Sequence, residues 1–417
     1  MSHVTEPIIA FVMIKFPKIT ETFILREILQ LQKFGIRIEL FSLLKPKTSD
    51  MIHPESEALI KRTHYSPWLL SWQLLCSHLF YLTHRPIRYT RLFLRLIFGT
   101  IAQPIVFAKT LAIFPKCVYF AYIAQKSGVR HIHATFASHN ATCAMIMAEL
   151  TDCNYSVTAA AYDLFVETVF LRKKLLLAHF VRTISNYNVQ LIKERYGDLI
   201  SSKIYLIRRG IDLEKFRSAG SKSTIKDTQY FTILCVAALE SKKGHRFLLD
   251  ALNYLNRKGR KIQCILVGEG PLRNQLTGYI RLLNLQNIIF TGAQTQDEVL
   301  TWLLKSDCFV LPSIVGPGGR REGIPNVVIE ALACRLPVIA TSISGLPELI
   351  KNHETGILIP PEDTDALASA ISYLQDNPLI AHKLGQFGRK VVECEYNIEE
   401  NAKKLRDLFI RALQNRI

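Results

Sequence analysis

The nine cysteines of this 417-residue chain include no C-x-x-C pair, which excludes zinc ribbons and thioredoxin-like redox motifs. They are odd in number and widely spaced, the pattern of reduced thiols buried singly in a cytosolic protein. The opening Met1-Ser2-His3-Val4-Thr5-Glu6 lacks the basic-then-apolar layout of a signal peptide. No fixed-period repeat or low-complexity tract is present, and no recognised nucleic-acid module. Acidic residues are scarce: 35 Asp and Glu stand against 52 Lys and Arg, a net charge of +17. That imbalance favours an anionic partner, whether nucleic acid, acidic lipid or a phosphorylated substrate. An apolar share of 49% and a charged share of 21% exclude disorder, collagen and coiled coil. The length suggests two domains, or three, and allows a large core without staples.

Residues 8–16 form a short apolar run ending at Lys15-Phe16-Pro17, the pattern of a buried strand. Residues 21–33 have helical spacing, with Ile24, Ile28 and Leu31 on one face, Thr20 as N-cap and Gly35 as stop. A second strand at 36–43 completes a strand–helix–strand unit, which predicts a parallel sheet with a helical crossover. The same rhythm resumes at 129–135 and runs to a strand at 204–207. Polar residues 218–230 have no apolar periodicity and place a domain boundary nearby. Five short apolar strands follow, at 231–237, 264–267, 288–290, 308–311 and 337–340, each with a turn and a helical stretch. The prediction is an α/β protein of two doubly wound domains, 1–208 and 209–396. Residues 397–417 are helical by pattern, with Leu405, Leu408, Phe409 and Leu413 on one face.

Residues 67–110 differ from the rest. Arg85, Arg88, Arg91 and Arg95 are set among Leu, Phe and Trp. The run from Trp68 to Leu82 is too short to cross a bilayer, and the next is interrupted at Arg95 and Pro104. Two readings remain open: a helix lying in a membrane interface, or helices covering the sheet with their arginines in water.

The segment from Pro317 to Ala331 carries the chemistry. A strand ending at Leu311 leads into a glycine-rich loop, and Pro325 suits the first turn of a helix. Free amides at that helix start make an anion site. Glu322 precedes the helix and Glu330 lies on it, about 12 Å further along if all were helical. One carboxylate can meet a ligand's sugar while the other meets a ribose.

These residues resemble the paired-glutamate motif of glycosyltransferase family 4, retaining enzymes of the GT-B fold. Six other segments agree, in the family's order: Phe16-Pro17-Lys18-Ile19-Thr20-Glu21-Thr22-Phe23, His131-Ile132-His133-Ala134, Arg209-Gly210-Ile211-Asp212, Lys242-Lys243-Gly244, Val267-Gly268-Glu269-Gly270-Pro271-Leu272 and Ser344-Gly345-Leu346-Pro347-Glu348-Leu349. The first resembles the branch that builds exopolysaccharides and capsules. The resemblance implies that Lys243 holds the donor diphosphate as a point charge and Glu330 accepts the ribose hydroxyls. Glu322, with the amides of Gly323 and Ile324, would contact the donor sugar, with Glu322 and Lys243 the catalytic pair. Pro325 and Asn326 would complete that helix start, and Gly268 and Gly270 would admit the nucleotide. Thr20, Glu21 and Asp163 would lie on the acceptor side. No cofactor and no metal is expected, because cations and a helix N-terminus stabilise the leaving diphosphate. The last helix, 397–417, would pack back onto the first domain.

Three positions depart from the family pattern. Ala160 stands where a histidine usually approaches the donor sugar, Ala238 where an arginine grips the diphosphate, and Thr135 where a second histidine often follows His133. A lost charge-assisted phosphate contact is worth about 1.5–3 kcal/mol, and Arg320 and Arg321 are candidates to replace it. The implied function is transfer of a sugar from a nucleotide-sugar to a growing, lipid-linked or oligosaccharide acceptor. The implied setting is cytoplasmic, peripheral on an anionic inner membrane surface, without nucleic acid. The alternative is an inactive family member that serves as a binding subunit.

Overall fold

The computed structural model describes residues 7–18, 21–47, 53–69, 71–160, 162–166, 170–216 and 229–414. It divides into two units. One comprises Met1–Ile184, Asn188–Arg208 and Ile398–Ile417; the other comprises Ser185–Tyr187 and Arg209–Asn397.

The first unit holds a seven-stranded sheet: β1 (Ile8–Lys15), β2 (Arg37–Leu44), β3 (Thr63–Tyr65), β4 (Val129–Ala134), β5 (Asn154–Ala159), β6 (Phe180–Thr183) and β7 (Ile204–Leu206). Their order is β3-β2-β1-β4-β5-β6-β7, and every pairing is parallel. Parallel strands must be covered on both faces, and the helices do this. Five of them are α1 (Thr22–Lys33), α2 (Trp72–His84), α3 (Pro86–Thr100), α4 (Pro104–Lys126) and α5 (His139–Thr151). The β3 strand escaped the sequence pattern because Thr63-His64-Tyr65 contains no apolar run.

The second unit holds a six-stranded sheet: β8 (Phe231–Val236), β9 (Ile262–Val267), β10 (Ile288–Gly292), β11 (Cys308–Leu311), β12 (Val338–Thr341) and β13 (Ile357–Ile359). Their order is β10-β9-β8-β11-β12-β13, again wholly parallel. Five strands were expected; β13, only three residues long, is the sixth. The helices used below are α6 (His245–Arg257), α7 (Arg273–Leu282), α8 (Gln296–Lys305) and α9 (Asn326–Ala333). The final helix, α10 (Ile398–Leu413), belongs to the first unit. Its Leu405, Leu408 and Phe409 are fully buried in that unit's core with Phe11 and Phe180. The polar 218–230 segment lies outside the described residues up to 228.

In residues 67–110 the structure adds detail to both open readings. The interruption expected at Pro104 is there: α3 ends at Thr100, and Pro104 opens α4, a 23-residue helix that continues past Pro115. A proline at the first helical position is tolerated because its missing N–H would be unpaired anyway. The arginines are not simply in water. Arg85 and Arg88 both pair with Asp152 at the end of α5, and Arg95 Nη1 lies 2.6 Å from Glu149 Oε2. Arg88 and Arg95 of α3, with Arg85 just before it, thus tie that helix to the end of α5.

Candidate active site

In an open parallel sheet, ligands collect beyond the strands' carboxyl ends where the strand order reverses. In the second unit that point lies between β8 and β11, so the site is built from the loops that leave those two strands. After β8 the chain makes a short 3-10 turn, Ser241–Lys243, and enters α6 through Gly244. Gly244 has φ of +69°, and a Cβ there would stand 1.8 Å from the Pro312 carbonyl oxygen. Only glycine lets the two loops touch. The contact is fixed by Ile314 N, which donates to Lys242 O at 2.8 Å.

This close approach brings Lys242, Lys243 and Glu322 together. Lys242 Nζ and Lys243 Nζ lie 3.0 and 3.1 Å from the same oxygen, Oε1 of Glu322. The Lys243 and Glu322 side chains are each only 12% exposed. Burial alone would raise the Glu322 carboxyl, but the ammonium groups of Lys243 and Lys242 outweigh it and hold it below the ordinary carboxylate range. The carboxylate is therefore ionised at neutral pH, and two lysines against one glutamate leave the cluster with one positive charge.

Four residues beyond Glu322, α9 begins. Gly323, Ile324 and Pro325 are buried and Asn326 is half-buried. Pro325, expected inside the first turn, is instead the extended residue before it, with ψ of 130°. Its fixed φ fits either position. Glu330 is buried on α9 and accepts a hydrogen bond from Gln296 Nε2 at 2.5 Å. Gln296 opens α8, whose start is held by a capping box between Thr295 and Glu298.

The remaining predicted residues are placed as follows. Arg320 is exposed, while Arg321 Nη1 donates to the Tyr187 hydroxyl at 3.2 Å. Gly268 and Gly270 answer to the protein's own backbone. A Cβ at Gly268 would lie 2.1 Å from the Ala237 carbonyl oxygen, and one at Gly270 would lie 2.7 Å from that of Leu239. The loop after β9 is thus laid directly on the loop that carries Lys243. Ala238 is exposed on that loop. Asp212 Oδ1 accepts from Glu214 N at 3.1 Å and shapes a turn.

In the first unit the strand order reverses between β1 and β4. Thr20 lies outside the described residues, and Glu21 precedes α1 with Lys18 Nζ 2.6 Å from its Oε1. Asp163 is buried and accepts from Ala137 N at 2.8 Å and Ala160 N at 3.2 Å, tying the loops after β4 and β5. Ala160 itself is fully buried. His131 and His133 share the Ser156 hydroxyl at 2.8 Å each, the structural role expected of buried histidines. The Thr135 hydroxyl donates to Val12 O at 3.2 Å.

Two site residues went unassigned at the sequence level, Lys242 and Gln296. The Lys-Lys doublet signalled the first, since both stems leave one 3-10 turn. Nothing local marks Gln296.

Residues 217–391 match the family model for glycosyl transferases group 1. The fold is GT-B, as the solved structures below share it. Among curated relatives it is 32% identical over 214 residues to the amylovoran biosynthesis glycosyltransferase AmsK of Erwinia amylovora, 51% of each chain. It is 31% identical over 211 residues to the putative colanic acid biosynthesis glycosyltransferase WcaL of Escherichia coli K12, 50% of this chain and 51% of that one. It is 30% identical over 235 residues to an E. coli UDP-Gal:alpha-D-GlcNAc-diphosphoundecaprenol alpha-1,3-galactosyltransferase, 54% of this chain and 58% of that one. The chain thus spans about half the length of the first curated relatives it matches. In structure, a glycosyltransferase from Rickettsia africae superposes with a TM-score of 0.72 at 20% identity, covering 99% of this chain and 100% of that one. Anabaena HepE in complex with UDP and glucose gives 0.69 at 15% identity, covering 97% and 99%.

Proposed function

We propose that the protein is a retaining, metal-independent glycosyltransferase. It moves a sugar from a nucleotide-sugar to a growing, lipid-linked glycan in exopolysaccharide or cell-surface polysaccharide biosynthesis. The observation that carries this reading is the convergence of Lys242, Lys243 and Glu322 beside the α9 start at a topological switch point. Breaking the sugar–phosphate bond puts negative charge on the departing diphosphate. Two fixed ammonium groups and the amides of a helix start are groups that stabilise such charge where it develops. They are also what supports independence from metal.

In the mechanism the lysines change partner. Without donor they neutralise Glu322; with donor they turn to the diphosphate, and the carboxylate is freed for the sugar hydroxyls. Glu330 takes the ribose, already oriented by Gln296. The retaining outcome rests on the resemblance of the glutamate pair. HepE, which takes UDP and glucose, supports the donor class, and the relative that acts on a diphosphoundecaprenol-linked sugar supports the acceptor class. Such an acceptor brings the protein to the anionic cytoplasmic face of a membrane, as a peripheral protein.

The test is turnover of a panel of nucleotide-sugars with and without membrane lipid extract. Lipid-dependent release of nucleoside diphosphate from one donor is expected, with Lys243→Ala at least tenfold slower. Nucleotide binding without transfer to any acceptor would overturn the catalytic reading in favour of an inactive binding subunit.

A further inference from the structure

The helices α2, α3 and α4 carry two apolar faces each, and only one of the two is buried. In α2 the buried side chains are Leu74, Ser77 and Tyr81. Trp72, Leu75, Leu79 and Leu82 are exposed, and their spacing of three, four and three puts them on one stripe. In α3 Leu92 and Leu96 are buried, whereas Ile87, Leu94 and Phe98 form an outward stripe, with Ile87 72% and Phe98 74% exposed. Trp68, just before α2, is 90% exposed, and Ile105, at the start of α4, is 72% exposed. A helix on a water-facing surface has one apolar face and one polar face. Apolar residues on both sides mean that something other than water covers the second.

Charge decides what covers it. No Asp or Glu occurs between Glu57 and Glu149. Asp152 and Glu149, beyond that stretch, are occupied by Arg85, Arg88 and Arg95. Arg91 and Lys109 are exposed on the same helices, with no acidic partner among the described residues. A face with cations and no anions cannot match a second copy of itself. It matches anionic headgroups, with tryptophans at their usual interfacial depth. α4 is the described helix long and apolar enough to cross a bilayer. However, its second half is core, with Phe114, Cys117 and Phe120 buried. It is exposed mainly at its start, around Ile105 and Lys109.

We infer that the outward face of α2, α3 and the start of α4 docks on an anionic lipid surface, its Trp, Ile and Phe side chains entering the headgroup–acyl boundary. Arg91 and Lys109 meet the lipid phosphates. The inference deepens the membrane partner of the proposed function and rests on that reading. It differs from an arginine-driven attachment, because Arg85, Arg88 and Arg95 are spent within the protein.

The experiment is co-sedimentation of the full chain with vesicles of phosphatidylcholine, alone or mixed with phosphatidylglycerol. Tryptophan emission is recorded alongside, and nucleotide binding by calorimetry serves as the folding control. Binding to the mixed vesicles with a blue shift is expected. Trp68→Ser with Trp72→Ser and Phe98→Ser should bind at least tenfold less while holding nucleotide as the parent does. Arg91→Gln and Lys109→Gln should each weaken binding about fivefold at low salt. A parent that does not sediment with the vesicles, or a triple variant that sediments equally, overturns the inference. So does a parent that is dimeric in solution through this face. Transfer to a water-soluble acceptor, measured in parallel, separates the two readings: its absence tells against the proposed function, and lost vesicle binding alone tells against the docking face.

Discussion

Glu322 is the residue on which the site turns, because one carboxylate oxygen holds both lysines. A bound diphosphate competes with that carboxylate for the same ammonium groups. Glu322→Gln keeps the shape and removes the competitor. The expected outcome is opposite effects on binding and transfer. Nucleoside diphosphate should bind about tenfold more tightly, equivalent to about 1.4 kcal/mol. Sugar transfer should fall by at least tenfold. Calorimetry and turnover on one preparation check both; weaker nucleotide binding in the variant would show that the carboxylate does not oppose the phosphate. The type and spacing of Glu322, Glu330 and Lys243 are readable in the chain. The shared oxygen is not, since it follows from an 80-residue separation closed by two loops.

At the scale of elements, the loops after β8 and β9 form one body. Gly268 has φ of +137° and lies against the Ala237 carbonyl, so any side chain there is strained twice, by its own backbone and by contact. Gly268→Ala is expected to destabilise the second unit by about 2 kcal/mol or more, the sum of an unfavourable φ and a displaced backbone. It should also weaken nucleotide binding, because the loop it displaces positions Lys243. The melting temperature and nucleotide affinity should fall together; a loss of affinity at unchanged stability would instead mark Gly268 as a direct ligand contact. The motif Gly268-Glu269-Gly270 was visible as a turn near a nucleotide, but its partner surface lies 30 residues earlier. Helices with one clean apolar stripe, such as α1 and α10, were readable from spacing alone. In α4 the proline masked the helix, because the same residue opens a helix and ends one. The three-residue strands β3 and β13 are defined by their neighbours and left no local signal.

At the scale of the whole molecule, each unit buries neutral histidine, and this sets how the protein responds to acid. In the first unit His131 is pushed down to about 3 by burial and by nearby His179. His133 is driven well below its ordinary value by burial, Arg182 and His131. Both rings pack against Phe409 of α10. In the second unit burial, with Lys243 close by, lowers His245 to about 4. A histidine whose folded value is depressed takes up a proton more readily when the chain unfolds. The contribution of these rings is therefore nearly constant above pH 7 and falls as pH drops through 6.5 towards the folded values. At pH 5.5 each such ring costs about 1.4 kcal/mol, and the two in the first unit about 3 kcal/mol together. Glu322 acts in the same direction, but only below the ordinary carboxylate range. Urea unfolding followed at pH 7.5 and 5.5 should show the midpoint moving down at the lower pH, more for the first unit than for the second. His245→Leu should leave the first unit's shift intact and flatten that of the second. A midpoint independent of pH over this interval would mean that the rings are protonated in the folded protein and that the hydrogen bonds to Ser156 are arranged otherwise.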